Sequence, residues 1–207
     1  MMAIERRGVC LVLAAPSGAG KTAIAEALLA SEPTLRRSIS VTTRPPRAGE
    51  IDGDHYHFHS SESFERLVRE NALLERAQVL GRHYYGTPRA PVEAALAMGL
   101  DMVFAIDWQG YRQLRAVLQS DVIGIFVLPP DLASLKTRLR ARADDATEIA
   151  RRMQLARSEI SHWHEFDHVV VNADLPQAVE AVRAVLHAAR SATSRQKGLK
   201  AFVDTLA

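Results

Sequence analysis

A short run of small and basic residues near the amino terminus has the composition of a loop that binds phosphate groups. Gly18 and Gly20 allow positive φ and close approach of the backbone, so several N–H groups can converge on phosphate oxygens. Lys21 can reach the β- and γ-phosphates of a nucleotide, and the Thr22 hydroxyl can ligate Mg²⁺. We therefore predict that a nucleoside triphosphate is bound by Ala14, Ala15, Pro16, Ser17, Gly18, Ala19, Gly20, Lys21 and Thr22.

The elements on either side of this loop suit that role. The preceding run GVCLVLAA is short, apolar and ends in turn residues, which predicts a buried strand. The following run TAIAEALLA has its apolar residues at helical spacing, and the amino terminus of a helix favours anions. Ala15 stands where the pattern G-x-x-x-x-G-K-[ST] has its first glycine, and an ordinary glycine-rich turn is the alternative interpretation.

A second candidate site follows in SISVTTRPPRAGEIDGDHYHF, from Ser38 to Phe58. Arg44 and Arg47 flank two prolines that stiffen the chain, and two guanidinium groups on a rigid turn suit a phosphate dianion. Tyr56 and Tyr85 could add hydroxyl donors. A solvated basic loop is the alternative, although it leaves the accompanying prolines, glycines and tyrosines unexplained.

The order of five motifs resembles that of the guanylate kinases: APSGAGKT, SVTTRPPRAGE, YYGTP, IDWQG and VVVNAD, within a likeness that runs from about Gly8 to Arg190. The resemblance implies an α/β, P-loop NTPase-type three-layer fold with a parallel sheet core, a small partly β GMP-binding insertion and a helical lid. It also implies transfer of the γ-phosphoryl group of ATP to GMP, with Mg²⁺ as cofactor and Thr22 as its protein ligand. ADP and GDP would be the products.

The same resemblance implies which residues contact GMP. Carboxylates accept hydrogen bonds and hydroxyls can donate them, which complements the N–H donors and the O6 acceptor of guanine. Asp107 has separate support, since it follows an apolar strand at the carboxyl edge, where open α/β sheets bind ligands. The implied phosphate-binding residues are Arg44, Arg47, Tyr56 and Tyr85, and the implied base-facing residues are Ser40, Glu75, Thr87 and Asp107.

On the ATP side, the resemblance implies a lid that delivers arginines to the phosphates. Arg138 and Arg142 lie four residues apart, on one face of a predicted helix. Phosphoryl transfer depends on positioning and charge stabilisation more than on covalent chemistry, which suits such residues. Asn172 resembles a residue near the adenine. The implied catalytic set is Lys21, Arg44, Arg138, Arg142 and Arg152.

Three departures from the family pattern stand out. Ala105 replaces the usual acidic residue two positions before Asp107, which puts any contact of that residue with Mg²⁺ or water in question. The run GRHYYG is one residue longer than usual. The lid loop RADDAT is shorter than usual and carries Ala143 in place of a glycine.

Strands alternating with helices predict the parallel sheet. Apolar runs indicate further strands from Leu73, Asp101, Val122 and His168. Helical patterns cover 62–70, 91–98, 109–119, 132–142, 148–162 and 175–190. The predicted organisation is a core with the phosphate loop at 1–38, a GMP-binding insertion at 39–90, core at 91–131, a lid at 132–167, and core plus a carboxyl-terminal tail at 168–207.

Bulk composition excludes several classes of protein. The 207 residues are 47% hydrophobic and 24% charged, with a net charge of +2, which implies no strong attraction to nucleic acid or membrane. We expect no signal peptide, no membrane span and a cytoplasmic location. Cys10 is the only cysteine, so no intramolecular disulfide can form. The histidines at 55, 57, 59, 162, 164 and 168 form no complete zinc ligand set, and we expect no metal there.

Two rival functions remain open from the sequence. Guanylate-kinase-like domains of scaffold proteins keep the fold as binding modules but lose the phosphate loop, and Lys21 and Thr22 argue against that class. A related kinase could act on a ribose phosphate, but such an acceptor has no base for Glu75, Thr87 and Asp107 to recognise. The expected partners are ATP and GMP, with a homo-oligomer as an open possibility.

Overall fold

The computed structural model describes residues 5–79, 82–141 and 146–206. The strands are β1 (Glu5–Arg6), β2 (Cys10–Ala14), β3 (Leu35–Arg37), β4 (Val41–Thr42), β5 (His57–Phe58), β6 (Leu73–Val79), β7 (His83–Pro88), β8 (Asp101–Ala105), β9 (Val122–Leu128), β10 (His168–Val171) and β11 (Gln196–Lys197). The α-helices are α1 (Lys21–Ser31), α2 (Ser61–Arg69), α3 (Arg89–Ala97), α4 (Trp108–Leu118), α5 (Leu132–Arg140), α6 (Ala146–Ile160), α7 (Leu175–Ser191) and α8 (Leu199–Asp204).

The core is a five-stranded parallel sheet in the order β10-β9-β2-β8-β3. Every residue of the central strand β2 is buried, because helices cover both faces of the sheet. Leu11 and Leu13 pack towards α1 and α7, whereas Cys10, Val12 and Ala14 pack towards α3 and α4. This alternation gives the three-layer α/β fold that the sequence predicts.

A second, mixed sheet in the order β5-β4-β7-β6 forms the insertion, with α2 packed against it. The predicted strand from Leu73 belongs to this sheet, antiparallel to β7, and not to the parallel core. The fifth parallel strand, Leu35–Arg37, was not predicted. Only Leu35 of that edge strand is buried, so the sequence contains no apolar run that would reveal it.

The six helices predicted from spacing are present, with ends that differ by at most two residues. Leu135 and Leu139 of α5 pack on Ile149 and Ala156 of α6, which joins the two helices of the predicted lid. Arg142, Ala143 and most of the RADDAT loop lie outside the described residues, as does Gly81 at the start of GRHYYG.

The carboxyl-terminal tail docks on the core. Strand β11 pairs antiparallel with β1, and the buried Arg195 donates hydrogen bonds to the carbonyl oxygens of Gly8 and Ser120. None of the helices in the described ranges is long and apolar enough to cross a membrane.

Candidate active site

The loop between β2 and α1 has a backbone that small residues permit. Gly18 and Gly20 have φ of 91° and 102°, in the left-handed region that side chains disfavour. A Cβ on Gly20 would lie 2.2 Å from Nδ2 of Asn172, so a larger residue would also clash there. Ala15 is not among the described residues with positive φ, which explains why this position does not need a glycine.

A pocket of about 220 Å³ opens beside this loop. Its lining combines loop residues and the amino terminus of α1 with two carboxylates from other elements, Asp107 and Glu159. Seven of the nine loop residues predicted to bind ATP line this cavity, and Ala14 and Ala19 are not among its lining residues. The cavity lies at the carboxyl end of the central strand, where a ligand can meet the helix amino terminus.

Lys21 extends from the first turn of α1 towards the end of β8. Its Nζ donates a hydrogen bond to the carbonyl oxygen of Ile106 at 3.0 Å. Burial lowers the pKa of the Lys21 ammonium, while the carboxylates of Asp107 and Glu159 act in the opposite direction. The cation is therefore held between the phosphate loop and the residue that precedes Asp107.

Glu159 is a pocket residue that sequence reasoning missed. Its Oε2 accepts a hydrogen bond from the backbone N–H of Ser17 at 3.3 Å, within the phosphate loop. Burial raises the pKa of the Glu159 carboxyl, and the Ser17 N–H and Lys21 oppose that shift. The available signal was spacing, since Glu159 lies two helical turns after Arg152 and so shares its face of α6.

Two of the predicted lid arginines contact the loop directly. Arg138 donates to the carbonyl oxygens of Asn172 at 3.0 Å and Ala19 at 3.4 Å. Arg152 donates to Oγ of Ser17 at 3.4 Å and to Glu148 at 2.8 Å. The third predicted lid arginine, Arg142, lies outside the described residues.

Asn172 braces the loop from the end of β10. Its Nδ2 donates to the carbonyl oxygen of Ala19 at 2.8 Å, and its backbone N–H donates to Leu128 at 2.8 Å. Within the described part of the chain, its buried Oδ1 has no hydrogen-bond partner. The contacts of Asn172 therefore hold the phosphate loop, in addition to any role near the adenine.

The turn that carries Arg44 and Arg47 is held by the carboxylate of Glu50. Arg44 donates to Glu50 at 2.7 Å and to the Tyr85 hydroxyl at 3.3 Å, and its guanidinium lies 5.3 Å from the centre of the Tyr56 ring. The backbone N–H of Arg47 donates to the same carboxylate at 2.7 Å. The hydrogen bonds from Arg44 and Arg47 lower the pKa of Glu50 to about 2.

This turn brings together three of the four predicted phosphate-binding side chains: Arg44, Tyr56 and Tyr85. The fourth, Arg47, has a solvent-exposed side chain, and its hydrogen bond to Glu50 comes from the backbone N–H. Glu50 was missed as a member of the site, although it stands three residues after Arg47 in the RAGE motif.

Two of the four predicted base-facing residues, Glu75 and Thr87, form a buried pair on β6 and β7. Thr87 is fully buried and donates its hydroxyl hydrogen to Glu75 at 2.7 Å, and Glu75 is 5% exposed. Burial raises the pKa of Glu75 to about 7, although the Thr87 hydrogen bond acts against that shift and Asp107 adds to it.

Asp107 lies at the amino terminus of α4, across from Glu75. Its Oδ1 accepts from the backbone N–H of Gly110 at 2.8 Å, which caps the helix. Ser40 lies in a smaller crevice of about 80 Å³ between the insertion and the core, with Tyr56 and the exposed Ala105. The structure thus joins Glu75, Thr87 and Asp107 in one region and leaves Ser40 beside Tyr56.

Thr22 fits the requirements of a Mg²⁺ ligand. Its hydroxyl lies at the second position of α1, beside the pocket that Asp107 and Glu159 also line. Hydroxyl, carboxylate and phosphate oxygens are the hard ligands that Mg²⁺ prefers. Over the residues that the structure describes, no protein-only group of three or more His, Cys, Asp or Glu side chains is arranged to hold a metal ion.

Comparison with known proteins agrees with this architecture. The guanylate kinase family model matches residues 7–189. The guanylate kinase of Gluconobacter oxydans (strain 621H) is 60% identical over 96% of this chain and 96% of its own length. That of Granulibacter bethesdensis is 56% identical over 97% of this chain and 94% of its own length.

A solved structure extends the likeness to three dimensions. The crystal structure of guanylate kinase from Anaplasma phagocytophilum superposes with a TM-score of 0.82 at 33% identity, covering 98% of this chain and 96% of that one. A family match over most of the chain, close relatives over nearly its full length and the shared fold lead to one conclusion: the chain belongs to the guanylate kinase family.

Proposed function

We propose how the residues of this chain bind the substrates and support the phosphorylation of GMP by ATP, the activity of the family to which the chain belongs. The observation that carries this proposal is the hydrogen bond between Lys21 and the Ile106 carbonyl. It joins the phosphate loop to the residue beside Asp107, so the donor nucleotide and the acceptor base would bind on either side of one short contact.

On the donor side, the loop from Ala14 to Thr22 would hold the ATP phosphates through its backbone N–H groups. Lys21 would exchange the Ile106 carbonyl for oxygens of the transferring phosphoryl group, because a phosphate is a stronger acceptor for an ammonium than a neutral carbonyl. Arg138, Arg152 and, by its position in the sequence, Arg142 would stabilise the charge that develops during transfer. Asn172 would lie near the adenine.

On the acceptor side, Arg44 and Arg47 would bind the GMP phosphate together with the hydroxyls of Tyr56 and Tyr85. The GMP phosphate would compete with Glu50 for the Arg44 guanidinium. One of its oxygens would then attack the γ-phosphorus of ATP while the bond to the β,γ-bridging oxygen breaks, leaving ADP and GDP. Positioning of the two phosphates, rather than a covalent intermediate, would supply the rate enhancement.

Base recognition would fall to Glu75, Thr87, Asp107 and Ser40. The buried Glu75 carboxylate offers acceptors where guanine has N1–H and N2–H₂ donors. This buried pairing favours GMP over a ribose phosphate, which presents no such donors. The intact phosphate loop and the Arg138 and Arg152 contacts with it favour an active kinase over a scaffold-type binding module.

Mg²⁺ is the cofactor we propose, with Thr22 as its protein ligand. Bound with ATP, the ion would neutralise charge on the β- and γ-phosphates. We also propose residues 39–90 as the GMP-binding segment and 132–167 as the lid. The cytoplasmic location and the homo-oligomeric state stay predictions from the sequence.

A pair of variants tests the assignment of the two phosphate sites. Arg44→Ala should weaken GMP binding about 10- to 150-fold, because a charge-assisted hydrogen bond contributes about 1.5–3 kcal/mol, and should leave ATP binding nearly unchanged. Lys21→Ala should nearly abolish turnover and leave GMP binding nearly unchanged. Titration calorimetry of each variant with each nucleotide gives four dissociation constants. A reversed pattern would mean that the ATP and GMP sites have been assigned the wrong way round.

A further inference from the structure

Gln113 makes an unusual contact with the strand that carries Glu75. Its side-chain amide forms two hydrogen bonds with the backbone of Arg76 on β6: the Arg76 N–H donates to Oε1 at 3.0 Å, and Nε2 donates to the Arg76 carbonyl at 2.8 Å. Among the described residues β6 is an edge strand of its sheet, so none of the strands that the structure describes pairs with these backbone groups on that side. The Gln113 amide therefore pairs with Arg76 as a residue of an additional strand would.

The pairing of β6 with β7 is irregular immediately before Glu75. The register between the two strands shifts between Leu73 and Glu75. An irregularity of this kind bends a strand and interrupts its hydrogen bonding. Gln113 holds Arg76, the residue after Glu75, so this contact lies directly beyond the irregular part of the ladder.

Three residues spaced three apart on α4 face this region. Asp107 caps the helix, Gly110 follows one turn later, and Gln113 follows one turn after that. A Cβ on Gly110 would lie 3.1 Å from Oε2 of Glu75, so the absence of a side chain there leaves room for the carboxylate. This face of the helix therefore begins with the Asp107 carboxylate and leaves room for the Glu75 carboxylate at Gly110. Through Gln113 it also holds strand β6, which carries Glu75.

We infer that Gln113 is a positioning residue for base selectivity, which fixes Glu75 on β6 at a set distance from Asp107 on α4. This inference rests on the proposed role of Glu75 and Asp107 in reading the base. GMP offers donors to both carboxylates and requires both to be in place, whereas AMP gains nothing from Glu75. Loss of the Gln113 contact with β6 should therefore weaken the binding of GMP more than the binding of AMP.

The test is the Gln113→Met variant, which keeps the length and approximate volume of the side chain but removes the amide. The matched control is Gln78→Met, at an exposed position on the same strand. We expect the GMP/AMP ratio of kcat/KM to fall about three- to tenfold in Gln113→Met, the range that one lost hydrogen bond gives, through a higher KM for GMP. The KM for ATP in Gln113→Met, and the ratio in Gln78→Met, should stay at wild-type values.

Combining the variant with Glu75→Gln separates this inference from the function on which it rests. If Gln113 acts through Glu75, Gln113→Met should change the ratio little in the Glu75→Gln background. A ratio that falls in Glu75→Gln but not in Gln113→Met would overturn the positioning role alone. A ratio unchanged in Glu75→Gln would refute base reading by Glu75, and the inference with it.

Thermal denaturation distinguishes positioning from simple stabilisation. A lower Tm with a wild-type GMP/AMP ratio would mean that Gln113 only stabilises the fold, and would overturn the inference. If Gln113→Met does not fold, Gln113→Glu decides, since it keeps the acceptor for the Arg76 N–H and loses the donor. An intermediate ratio in that variant supports the inference, and a wild-type ratio overturns it.

Discussion

Thr87 donates its hydroxyl hydrogen to Oε1 of Glu75 at 2.7 Å, and both side chains are buried. The contact orients the carboxyl group and leaves Oε2 facing Gly110 on α4. Burial nevertheless raises the pKa of Glu75 to about 7, because one hydroxyl donor does not replace the water that the carboxylate has lost. If Glu75 reads the base as proposed, its raised pKa has consequences for both GMP binding and protein stability.

GMP affinity should rise with pH through neutrality. Guanine N–H donors require an ionised Glu75, and a carboxyl with a pKa of about 7 is largely protonated at pH 6. We expect kcat/KM for GMP to fall up to about tenfold per pH unit below that pKa. The phosphate of GMP also titrates near pH 6, so the profile should be measured in wild type and in Glu75→Gln, where only the phosphate contribution remains. Superimposable profiles would contradict the assignment.

The same carboxyl should destabilise the protein at alkaline pH. The pKa of Glu75 in the folded protein is about 7, above the ordinary value of 4.5. The folded state therefore holds this proton more tightly than the unfolded state does. The resulting contribution to the free energy of unfolding is fully present below pH 4.5 and is lost as pH rises through 7. Glu75→Gln removes that loss and should stabilise the protein by about 1–3 kcal/mol at pH 8, with little effect at pH 4.5. Urea denaturation at the two pH values measures the difference. A variant no more stable than wild type at pH 8 would refute the buried-carboxylate account.

Removing the charge of Glu159 should tighten binding of ATP without Mg²⁺. Its carboxylate accepts from the Ser17 N–H beside the pocket that we propose binds the ATP phosphates. There it would repel an anionic ligand and occupy one of the N–H donors of the loop. We expect Glu159→Gln to lower the Kd for Mg²⁺-free ATP about fivefold, the effect of a change of about 1 kcal/mol in a partly screened interaction. Glu180→Gln, at an exposed position on α7, is the control. Unchanged or weaker binding in Glu159→Gln would contradict this prediction.

Local sequence predicts the phosphate loop well because its determinants are contiguous. Gly18, Gly20 and Lys21 lie between a strand and a helix that their own periodicity reveals, and the structure has all three in that arrangement. The pairing of Glu75 with Thr87 crosses a hairpin, so the composition of neither strand indicates it. Only the resemblance to a family pointed to those two residues together.

The contacts of the missed residues have no local signature, although helical spacing does place Glu159 on the same face of α6 as Arg152. Glu159 meets Ser17 across 142 positions of the chain, and Gln113 meets Arg76 across 37, so neither contact leaves a pattern in the adjacent sequence. Glu50 pairs with Arg44 over six residues, within a turn whose shape the prolines suggest but do not define. The edge strand at Leu35–Arg37 pairs with β8 and buries only one apolar side chain, Leu35, so it forms no apolar run in the sequence.

Base choice tests the central claim most directly. With AMP, position 1 of the base is an acceptor, position 6 is a donor, and the 2-amino group is absent. Above the pKa of about 7, the ionised Glu75 would therefore face a lone pair with no proton between them. Buried polar pairing of this kind discriminates by about 10⁴ or more. The measurement is kcat/KM of the wild-type protein for GMP and AMP, with CMP, UMP and ribose 5-phosphate alongside, at fixed Mg·ATP. The account predicts a GMP preference of that order and weak or no use of the others, whereas comparable use of AMP would contradict it.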